Sequence, residues 1–228
     1  MTRTLFVTGT DTGVGKTHAS CALIHALRAS KRQVCGYKPI ASGCVATAEG
    51  LRNADALALQ EAAGTCEPYQ AINTYSYEAA IAPHLAAARH GPSIEVGALD
   101  AAHRALAARY DTIIVEGAGG WLLPIDARTT LAGWVAAQGW PVVLVVGLRL
   151  GCLNHALLTV ESIQRRTALI GWIANVLPPA PEEWQENLAT LQARLSAPLL
   201  GCLPAGVDPH IAAAALNLQP LVDAGVIV

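Results

Sequence analysis

Residues 5–17 constrain the fold more than any other part of the chain. They read Leu-Phe-Val-Thr-Gly-Thr-Asp-Thr-Gly-Val-Gly-Lys-Thr. The apolar residues 5–7 predict a buried strand, the glycines predict a tight loop, and a helical pattern begins at Lys16. Such a loop lets backbone N–H groups converge on phosphate oxygens, and the helix N-terminus adds partial positive charge. The segment therefore predicts an α/β chain that binds a nucleoside triphosphate.

Lys16 and Thr17 close this loop. The lysine is expected to neutralise the outer phosphates, and the threonine hydroxyl is expected to ligate Mg²⁺. The spacing is longer than the general Gly-x₄-Gly-Lys pattern, because five residues separate Gly9 from Gly15. A chance glycine turn is the alternative, and the strand-to-helix context disfavours it. ATPases that move or partition cargo often carry a lysine at the position of Asp11, so the sequence disfavours that subclass.

Apolar strands alternate with helical stretches along the chain. A continuous apolar run such as residues 142–146 is typical of a strand buried on both faces of a parallel sheet. The alternation predicts one domain over residues 1–228, a doubly wound, mostly parallel α/β sheet with helices on both faces, of the P-loop NTPase type. Strands are predicted at residues 4–8, 33–38, 112–116, 142–146, 169–175 and 199–202, and helices at 16–29, 54–63, 98–109, 131–137, 155–165 and 182–195.

Composition excludes several classes of function. With 53% hydrophobic residues, 14% charged residues and a net charge of −2, the chain has a sizeable core and no basic patch, which disfavours nucleic acid as a partner. Residues 140–148 are too few to span a bilayer, and no signal peptide precedes the first strand, so no membrane association is expected. Six dispersed cysteines without a Cys-x-x-Cys pair predict a reduced, cytoplasmic protein.

Lys38 and Asp55 lie at the end of a predicted strand and at the start of a predicted helix. In α/β sheets ligands bind beyond the carboxyl ends of the strands. Lys38 ends a strand, where its ammonium could stabilise charge on a transferring phosphoryl group. The alternative is a lysine that reaches solvent from the sheet rim. Asp55 opens a helix and offers a hard oxygen ligand to Mg²⁺. Its residue context alone favours helix capping over metal binding.

Two further strand ends carry candidate ligand groups. Glu116 closes an apolar strand before a glycine-rich segment, a position from which a carboxylate can hold Mg²⁺ directly or through water. Gly151 separates a strand from a helix, and the free N–H groups there could bind an anion such as a carboxylate. An ordinary β–α turn explains this second segment equally well.

Taken together, these segments closely resemble dethiobiotin synthetase. The matching residues are 9–17, 37–43, 51–59, 116–121, 150–156 and 171–175, in an order that covers residues 4–204. The five-residue loop spacing is the family's own form. The resemblance implies a homodimer that converts 7,8-diaminononanoate, CO₂ and MgATP into dethiobiotin, ADP and phosphate. One substrate amine captures CO₂ as a carbamate, ATP activates it as a carbamic–phosphoric anhydride, and the second amine closes the ring.

The resemblance also implies a role for each motif. Lys16 and Lys38 are catalytic, and Lys38 faces the carbamate and the transferring phosphoryl group. The implied metal ligands are Thr17, Asp55 and Glu116. Asn175 is implied to read adenine. The full set of residues implied to contact ATP is Gly13, Val14, Gly15, Lys16, Thr17, His18, Asp55, Glu116, Gly117, Ala118, Gly119, Asn175, Pro204, Ala205 and Gly206.

On the substrate side, the resemblance places Ser42 near the diamine. The substrate carboxylate would be held by the helix start of the partner subunit, at Gly151, Cys152, Leu153 and Asn154. The family often has a tyrosine for this carboxylate in the helix after the proline loop, and this chain has none there. Trp184 or Asn187 replaces it, or the contact is absent.

Two rival functions are possible, an ATP-dependent ligase of related form and a nucleotide-switched ATPase of a different class. An amide ligase of the cobalamin type would normally carry a glutaminase domain, for which the chain has no room. A nucleotide-switched regulatory or partitioning ATPase is disfavoured by Asp11 and by residues 37–43. The switch would hydrolyse ATP alone or with a protein partner, whereas a synthetase would need its substrate.

Overall fold

A six-stranded parallel sheet forms the middle of the protein. The structure is a computed structural model and describes residues 2–227. The strands of the protein are β1 (Arg3–Gly9), β2 (Val34–Tyr37), β3 (Ile40–Ser42), β4 (Val45–Thr47), β5 (Gly50–Arg52), β6 (Tyr75–Tyr77), β7 (Thr112–Glu116), β8 (Val142–Leu148), β9 (Leu169–Val176) and β10 (Leu199–Leu203). The order of strands in the six-stranded sheet is β10-β9-β8-β1-β7-β2.

Helices cover both faces of this sheet. Alternate residues of β1 point to opposite faces, so Leu5 and Val7 pack with α1 on one side and Phe6 packs on the other. Both layers are apolar, which confirms the predicted doubly wound α/β fold. The helices are α1 (Lys16–Ala29), α2 (Ala54–Ala63), α3 (Tyr69–Ile72), α4 (Pro83–His90), α5 (Val96–Ala107), α6 (Leu131–Gln138), α7 (Cys152–Gln164), α8 (Trp184–Arg194), α9 (Pro209–Ala212) and α10 (Gln219–Asp223), with a 3₁₀ turn at Ala213–Ala215.

Strand β1 lies at the point of the sheet from which the chain connections run to opposite sides, and this point locates the ligand site. β1 pairs in parallel with β7 on one side and with β8 on the other. The chain leaves β1 through the glycine loop, enters α1 and returns in β2 at the sheet edge. In open α/β sheets ligands bind outside the carboxyl ends of the strands at such a point. The glycine loop, Lys38 and Glu116 all lie at this end.

The predicted elements agree with the structure where the apolar pattern is long. All six predicted strands are present, and the bounds of α1, α2 and β7 are those predicted. Helix α7 starts at Cys152, three residues before the predicted start. A parallel pair, β3 with β6, and a hairpin, β4 with β5, were not predicted. Within residues 2–227 no helix has the length and apolarity needed to cross a membrane.

Candidate active site

A cavity of about 750 Å³ opens at the carboxyl ends of the strands. Its floor is the glycine loop, and its walls come from the segments that follow β2, β6 and β7. Nine residues predicted from the sequence therefore meet at one cavity. They are Gly13, Gly15, Lys16, Thr17, Lys38, Ser42, Asp55, Ala118 and Gly119.

Two glycines give the phosphate loop its shape. Gly13 and Gly15 have φ angles of 73° and 86°, in the left-handed region that a side chain strongly disfavours. Gly15 is the N-cap of α1, and its carbonyl accepts the helix hydrogen bond from Ala19. A Cβ atom on Gly15 would lie 2.0 Å from Nδ2 of Asn175. The loop therefore needs glycine here for its conformation and for the neighbouring side chain.

Lys16 lies at the floor of the cavity with its ammonium close to the loop backbone. Its Nζ donates a hydrogen bond to the Asp11 carbonyl at 3.0 Å. Burial, and then the positive charge of Lys38, lower the pKa of Lys16 to about 8, against the opposing effect of Glu116, Asp55 and Asp11. A lysine with this pKa is held in surroundings that favour an incoming negative charge.

Lys38 is the centre of a buried charge cluster. Its Nζ lies 2.6 Å from Oε1 of Glu116 and 3.1 Å from Oδ2 of Asp55, and it donates to the Gly117 carbonyl at 3.0 Å. Lys38 is buried and Glu116 is fully buried. The alternative that Lys38 reaches solvent from the sheet rim is therefore wrong. The hydroxyl of Thr17 donates to the same Glu116 oxygen at 2.9 Å.

Each charged group of this cluster stabilises the ionised form of its oppositely charged neighbour. Burial lowers the pKa of Lys38, but Glu116 and Asp55 outweigh it, so the pKa lies above its ordinary value. Burial likewise raises the pKa of Asp55, but the charge of Lys38 and hydrogen bonds from Thr17 and Lys38 hold it below its ordinary value. Lys38 and Asp55 therefore remain charged at neutral pH.

Asp55 is placed by a neighbouring residue that the sequence analysis did not single out. The side chain of Asn53 accepts hydrogen bonds from the N–H groups of Asp55 and Ala56, at 3.1 and 3.3 Å, and so caps α2. The capping role considered for Asp55 thus belongs to Asn53. The Asp55 carboxylate is left at the cavity, 43% exposed, where it can meet a ligand.

The cluster has the chemistry of a magnesium site that phosphate and water would complete. Oε2 of Glu116 is buried and has no hydrogen-bond partner among the side chains and backbone that the structure describes. A buried, unpartnered carboxylate oxygen is costly, and a cation would satisfy it. Thr17, Asp55 and Glu116 supply hard oxygen atoms of the kind that Mg²⁺ prefers. In the described part of the chain no set of three His, Cys, Asp or Glu side chains could hold a metal alone.

Asn175 lies behind the phosphate loop, at the carboxyl end of β9. It is only 4% exposed, and its Nδ2 donates to the Val14 carbonyl at 3.1 Å. Its Oδ1 lies 3.2 Å from Nδ1 of His18, whose Nε2 lies 2.8 Å from the Val207 carbonyl. Neither side chain lines the cavity, so the role of Asn175 toward adenine and the contact of His18 with ATP stay predictions. Pro204, Ala205 and Gly206 follow β10, the strand next to β9.

The predicted carboxylate-binding segment lies apart from this cavity. Gly151, with a φ angle of 90°, is the N-cap of α7, Cys152 is buried, and Asn154 is exposed. Gly151, Cys152, Leu153 and Asn154 do not line the cavity of their own chain. Their predicted service to a neighbouring subunit therefore stays a prediction.

Arg149, just before this segment, connects it to the phosphate loop. Its guanidinium lies 2.5 Å from Oδ2 of Asp11, whose Oδ1 accepts the N–H of Thr12 at 2.7 Å. Arg149 and Asp11 are both about half exposed, and no sequence motif pairs them. Only the parallel pairing of β1 with β8 brings the ends of these two strands together.

The apolar wall of the cavity was also missed. It is formed by Ala41 in β3, by Leu123, and by residues 80–83, which lead from the loop after β6 into the start of α4. Such single apolar residues carry no motif, so only the folded structure identifies them as wall residues. Trp184 and Asn187, named above as replacements for a tyrosine, lie on α8 and are partly buried, Trp184 against the core.

Comparison with known proteins places the whole chain in a family. A family model described as an AAA domain matches residues 3–208. The ATP-dependent dethiobiotin synthetase of Salmonella typhi is 48% identical over 225 residues, which cover 97% of this chain and 99% of the relative. The synthetase of Pseudomonas paraeruginosa is 50% identical over 220 residues, 95% of this chain and 96% of that one.

A solved structure supports the fold alone. The cobyrinic acid a,c-diamide synthase of Mycobacterium smegmatis, with a bound ATP analogue and magnesium, has a TM-score of 0.55 and 17% identity, and the match covers 99% of this chain and 97% of that one. The two curated relatives match nearly the whole chain at about half identity. The chain therefore belongs to the family of ATP-dependent dethiobiotin synthetases, which are ligases.

Proposed function

We propose that this protein converts 7,8-diaminononanoate, CO₂ and ATP into dethiobiotin, ADP and phosphate. The observation that carries the proposal is the cluster at the cavity, in which Lys38 is buried between Glu116 and Asp55 beside Thr17 of the phosphate loop. The reaction needs no nucleophile from the protein, since the substrate supplies both attacking amines. The protein has to position the reactants and balance negative charge. A lysine beside the phosphate loop can supply the positive charge for this purpose.

The proposed sequence has three steps. One amine adds to CO₂ and loses a proton, which gives a carbamate. A carbamate oxygen then attacks the γ-phosphorus of ATP and ADP departs, which leaves a carbamic–phosphoric anhydride. The second amine attacks the carbamic carbon, expels phosphate and loses its proton, so that a five-membered cyclic urea forms.

Lys16 and Lys38 act on opposite sides of the transferring group. Lys16, whose pKa is lowered to about 8, gains a phosphate as its counter-charge when ATP binds. Lys38 emerges from β2 before Pro39, whose ring restricts the Lys38 backbone to extended geometry, and its ammonium faces the carboxylates at the cavity. From there it would stabilise charge that builds between carbamate and γ-phosphate, more in the transition state than in bound ATP.

Thr17, Asp55 and Glu116 are the residues that would hold Mg²⁺. The unpartnered Oε2 of Glu116 supports this assignment. When bound, the ion would offset charge on the β- and γ-phosphates. The glycine-rich segment with Gly117, Ala118 and Gly119 lets the backbone approach the nucleotide there.

The diamine would occupy the other end of the cavity. Ser42 offers a hydroxyl there, and the wall of Ala41, Leu123 and residues 80–83 suits an alkyl chain. The substrate carboxylate would reach the N-terminus of α7 in a second subunit, which makes the enzyme a homodimer. We further propose that residues 1–228 form a single domain that works in the cytoplasm.

Two rival functions make different demands. A partitioning ATPase would use a cation at position 11, whereas Asp11 is engaged by Arg149. A cobalamin-type amide ligase shares the fold at 17% identity, a level that supports no shared substrate.

The deciding experiment incubates purified protein with diaminononanoate, ¹³C-labelled bicarbonate and MgATP. Mass spectrometry should find dethiobiotin with one labelled carbon, and ADP should form in equal amount. Omission of the diamine should abolish ADP formation, since the carbamate is the phosphoryl acceptor. Steady ATP hydrolysis without diamine, and no labelled product with it, would support the switch function instead.

A further inference from the structure

We propose that Asn73 is the positioning residue of the charge cluster: its buried amide fixes the backbone of Lys38 and, through Tyr69, the start of the helix that carries Asp55. This inference rests on the proposed function, in which Lys38 acts on the transferring phosphoryl group. Asn73 follows α3 and is only 2% exposed. No sequence motif named above includes it.

All four hydrogen-bonding positions of the Asn73 side-chain amide are used. Its Nδ2 donates to the carbonyl of Lys38 at 2.7 Å and to the carbonyl of Tyr75 at 3.1 Å. Its Oδ1 accepts from the hydroxyls of Tyr69, at 2.8 Å, and Ser76, at 2.6 Å. Because a carbonyl can only accept, the two carbonyls fix the orientation of the amide. A buried amide whose partners are all present holds these segments in one arrangement.

The backbone of Lys38 needs such a partner because β2 is an edge strand. β2 pairs only with β7 in the six-stranded sheet, and this pairing ends at Tyr37. Beyond Tyr37, the end of α3 takes the place of a neighbouring strand. The N–H of Lys38 donates to the Ile72 carbonyl at 2.8 Å, and the carbonyl of Lys38 accepts from Asn73. Two consecutive residues thus set the point from which the lysine side chain starts.

Tyr69 extends the network to the helix that carries Asp55. Its hydroxyl donates to Asn73 and accepts the backbone N–H of Asn53 at 2.8 Å. The side chain of Asn53 caps α2 and accepts the N–H of Asp55. The ion pair of Lys38 with Asp55, at 3.1 Å, therefore has a second connection behind it that does not pass through the charges.

A small shift of the ammonium is enough to slow the reaction. Misplacement of a reacting group by about 1 Å can cost roughly a hundredfold in rate. Since Lys38 is proposed to act more in the transition state than in bound ATP, such a shift should lower kcat and change the KM for ATP little. Asn73 does not line the cavity, so its effect on the rate must pass through the residues that it holds.

The first test observes the Lys38 ammonium directly and requires no turnover. The chain contains three lysines, Lys16, Lys31 and Lys38. NMR of protein labelled with ¹⁵N at the lysine side chains should therefore give at most three ammonium signals. The signal that disappears in Lys38→Met belongs to Lys38.

We expect Asn73→Ala and Tyr69→Phe to shift or broaden the Lys38 signal. The matched control is Tyr77→Phe, which should leave the signal unchanged. Tyr77 is also buried, but its hydroxyl donates to the carbonyl of Pro92 and takes no part in this network. Tyr69→Phe keeps the buried ring, so the test remains possible if Asn73→Ala does not fold.

The second test measures turnover. Asn73→Ala should lower kcat by about ten- to a hundredfold and leave the KM for ATP within about twofold. In the Lys38→Met background the same substitution should cause little further loss, because the residue through which it acts is already absent. Tyr69→Phe interrupts the connection toward Asp55 and should raise the Mg²⁺ concentration needed for half of the maximal rate.

Two results would overturn the proposal. One is an unchanged Lys38 signal in folded Asn73→Ala or Tyr69→Phe protein. The other is an equal fractional loss of rate from Asn73→Ala in the wild-type and Lys38→Met backgrounds, because Asn73 would then act on the fold alone. If the wild-type protein forms no dethiobiotin, the proposed function fails, whereas the NMR signal still decides whether Asn73 positions Lys38.

Discussion

At the residue scale, Lys38 links the fold to the proposed reaction. Its ammonium touches one fully buried carboxylate, Glu116, and one partly exposed carboxylate, Asp55. Because both partners depend on one cation, a change at Lys38 affects the fold as well as the reaction. Tests at this position therefore need a measure of stability beside a measure of rate.

Lys38→Met should reduce turnover and stability together. Loss of the ammonium removes stabilisation of the transition state, so kcat should fall by about a hundredfold or more, with a smaller effect on ATP affinity. It also leaves Glu116 buried without a cation, which should lower the free energy of unfolding by about 3–5 kcal/mol. Stopped-flow product formation and urea unfolding measure the two effects.

The matched control is Lys31→Met, an exposed lysine after α1, which should change neither quantity. The double variant Lys38→Met/Glu116→Gln removes the unpaired charge and should regain part of the lost stability but no activity. If Lys38→Met instead weakened ATP binding alone and turned over near the wild-type rate, Lys38 would be a nucleotide clamp.

Lys16 should bind a proton when the protein binds ATP. Its pKa of about 8 in the free protein leaves about half of the molecules uncharged at pH 8. The triphosphate favours the charged form, so about half a proton should be taken up per ATP at that pH, and less near about pH 6.5, where the lysine is already charged. ATP affinity should decline as the pH rises above about 8.

Calorimetry in two buffers of different ionisation enthalpy measures this uptake directly. Lys16→Arg is the control, because an arginine stays protonated throughout and its variant should show no uptake at pH 8. Identical heats for the wild-type protein in both buffers at pH 8 would show that Lys16 is fully charged before ATP arrives.

At the scale of elements, the loop between β1 and α1 depends on what lies behind it. Gly13 and Gly15 have similar positive φ angles, but a Cβ atom at Gly13 would meet nothing within 4 Å, whereas one at Gly15 would collide with Asn175. Substitution of Gly13 therefore measures the free-energy cost of a left-handed backbone alone, whereas substitution of Gly15 adds the cost of the steric contact with Asn175.

Gly15→Ala should destabilise the protein more than Gly13→Ala. Gly13→Ala adds only the penalty for a left-handed alanine, about 1–2 kcal/mol. Gly15→Ala adds that penalty and also displaces the Asn175 amide from its bonds to Val14 and His18. Urea unfolding without nucleotide measures both, since no phosphate then competes for the space. Equal losses would mean that Asn175 moves aside at no cost.

The elements also show what the sequence could and could not predict. Strands such as β7 and β8 were predicted because continuous apolar runs specify strands buried on both faces. β3 and β6 have three residues each, too few for any periodicity, and their pairing depends on the fold around them. The hairpin of β4 and β5 is largely exposed and has no apolar alternation to reveal it.

The same contrast holds for the site. Lys16 and Thr17 could be predicted as site residues from the loop motif. Lys38, Asp55 and Glu116 could be predicted because they lie at strand ends or a helix start, although each had another possible role until the motifs were considered together. Their distances could not, since these depend on sheet order. The apolar cavity wall and the pairing of Asp11 with Arg149 had no local signal, because each arises only when distant segments meet.

At the scale of the whole molecule, the helix start that is proposed to hold the substrate carboxylate does not line the cavity of its own chain. Gly151 to Asn154 lie outside the cavity, and the adjacent Leu150 is fully exposed. Under the proposed function, this helix N-terminus serves the active site of a second subunit. Each complete active site would then combine two copies of the chain.

Mixing two inactive variants tests this arrangement. Lys38→Met damages the cavity, and Asn154→Trp blocks the helix start offered to the partner. In a heterodimer one site combines both damaged parts and the other combines both intact parts. With free exchange, about half of the dimers are mixed, so activity should return to about a quarter of the wild-type value.

Subunit exchange is established separately with a size-tagged copy, and each variant alone should remain inactive. If exchange is complete and no activity returns, the carboxylate site belongs to the same chain as Lys38 or lies elsewhere.

Lys38 supplies, from within the protein, a positive charge beside the carboxylates of Glu116 and Asp55. The Lys38 ammonium offsets part of the negative charge of Glu116 and Asp55, so we expect the protein to fold without divalent metal. Chelators should therefore stop the reaction and leave the fold intact. Thr17, Asp55 and Glu116 would hold Mg²⁺ in the loaded enzyme, and Lys38, which contacts both carboxylates, would then lie between the metal ligands and the reactants.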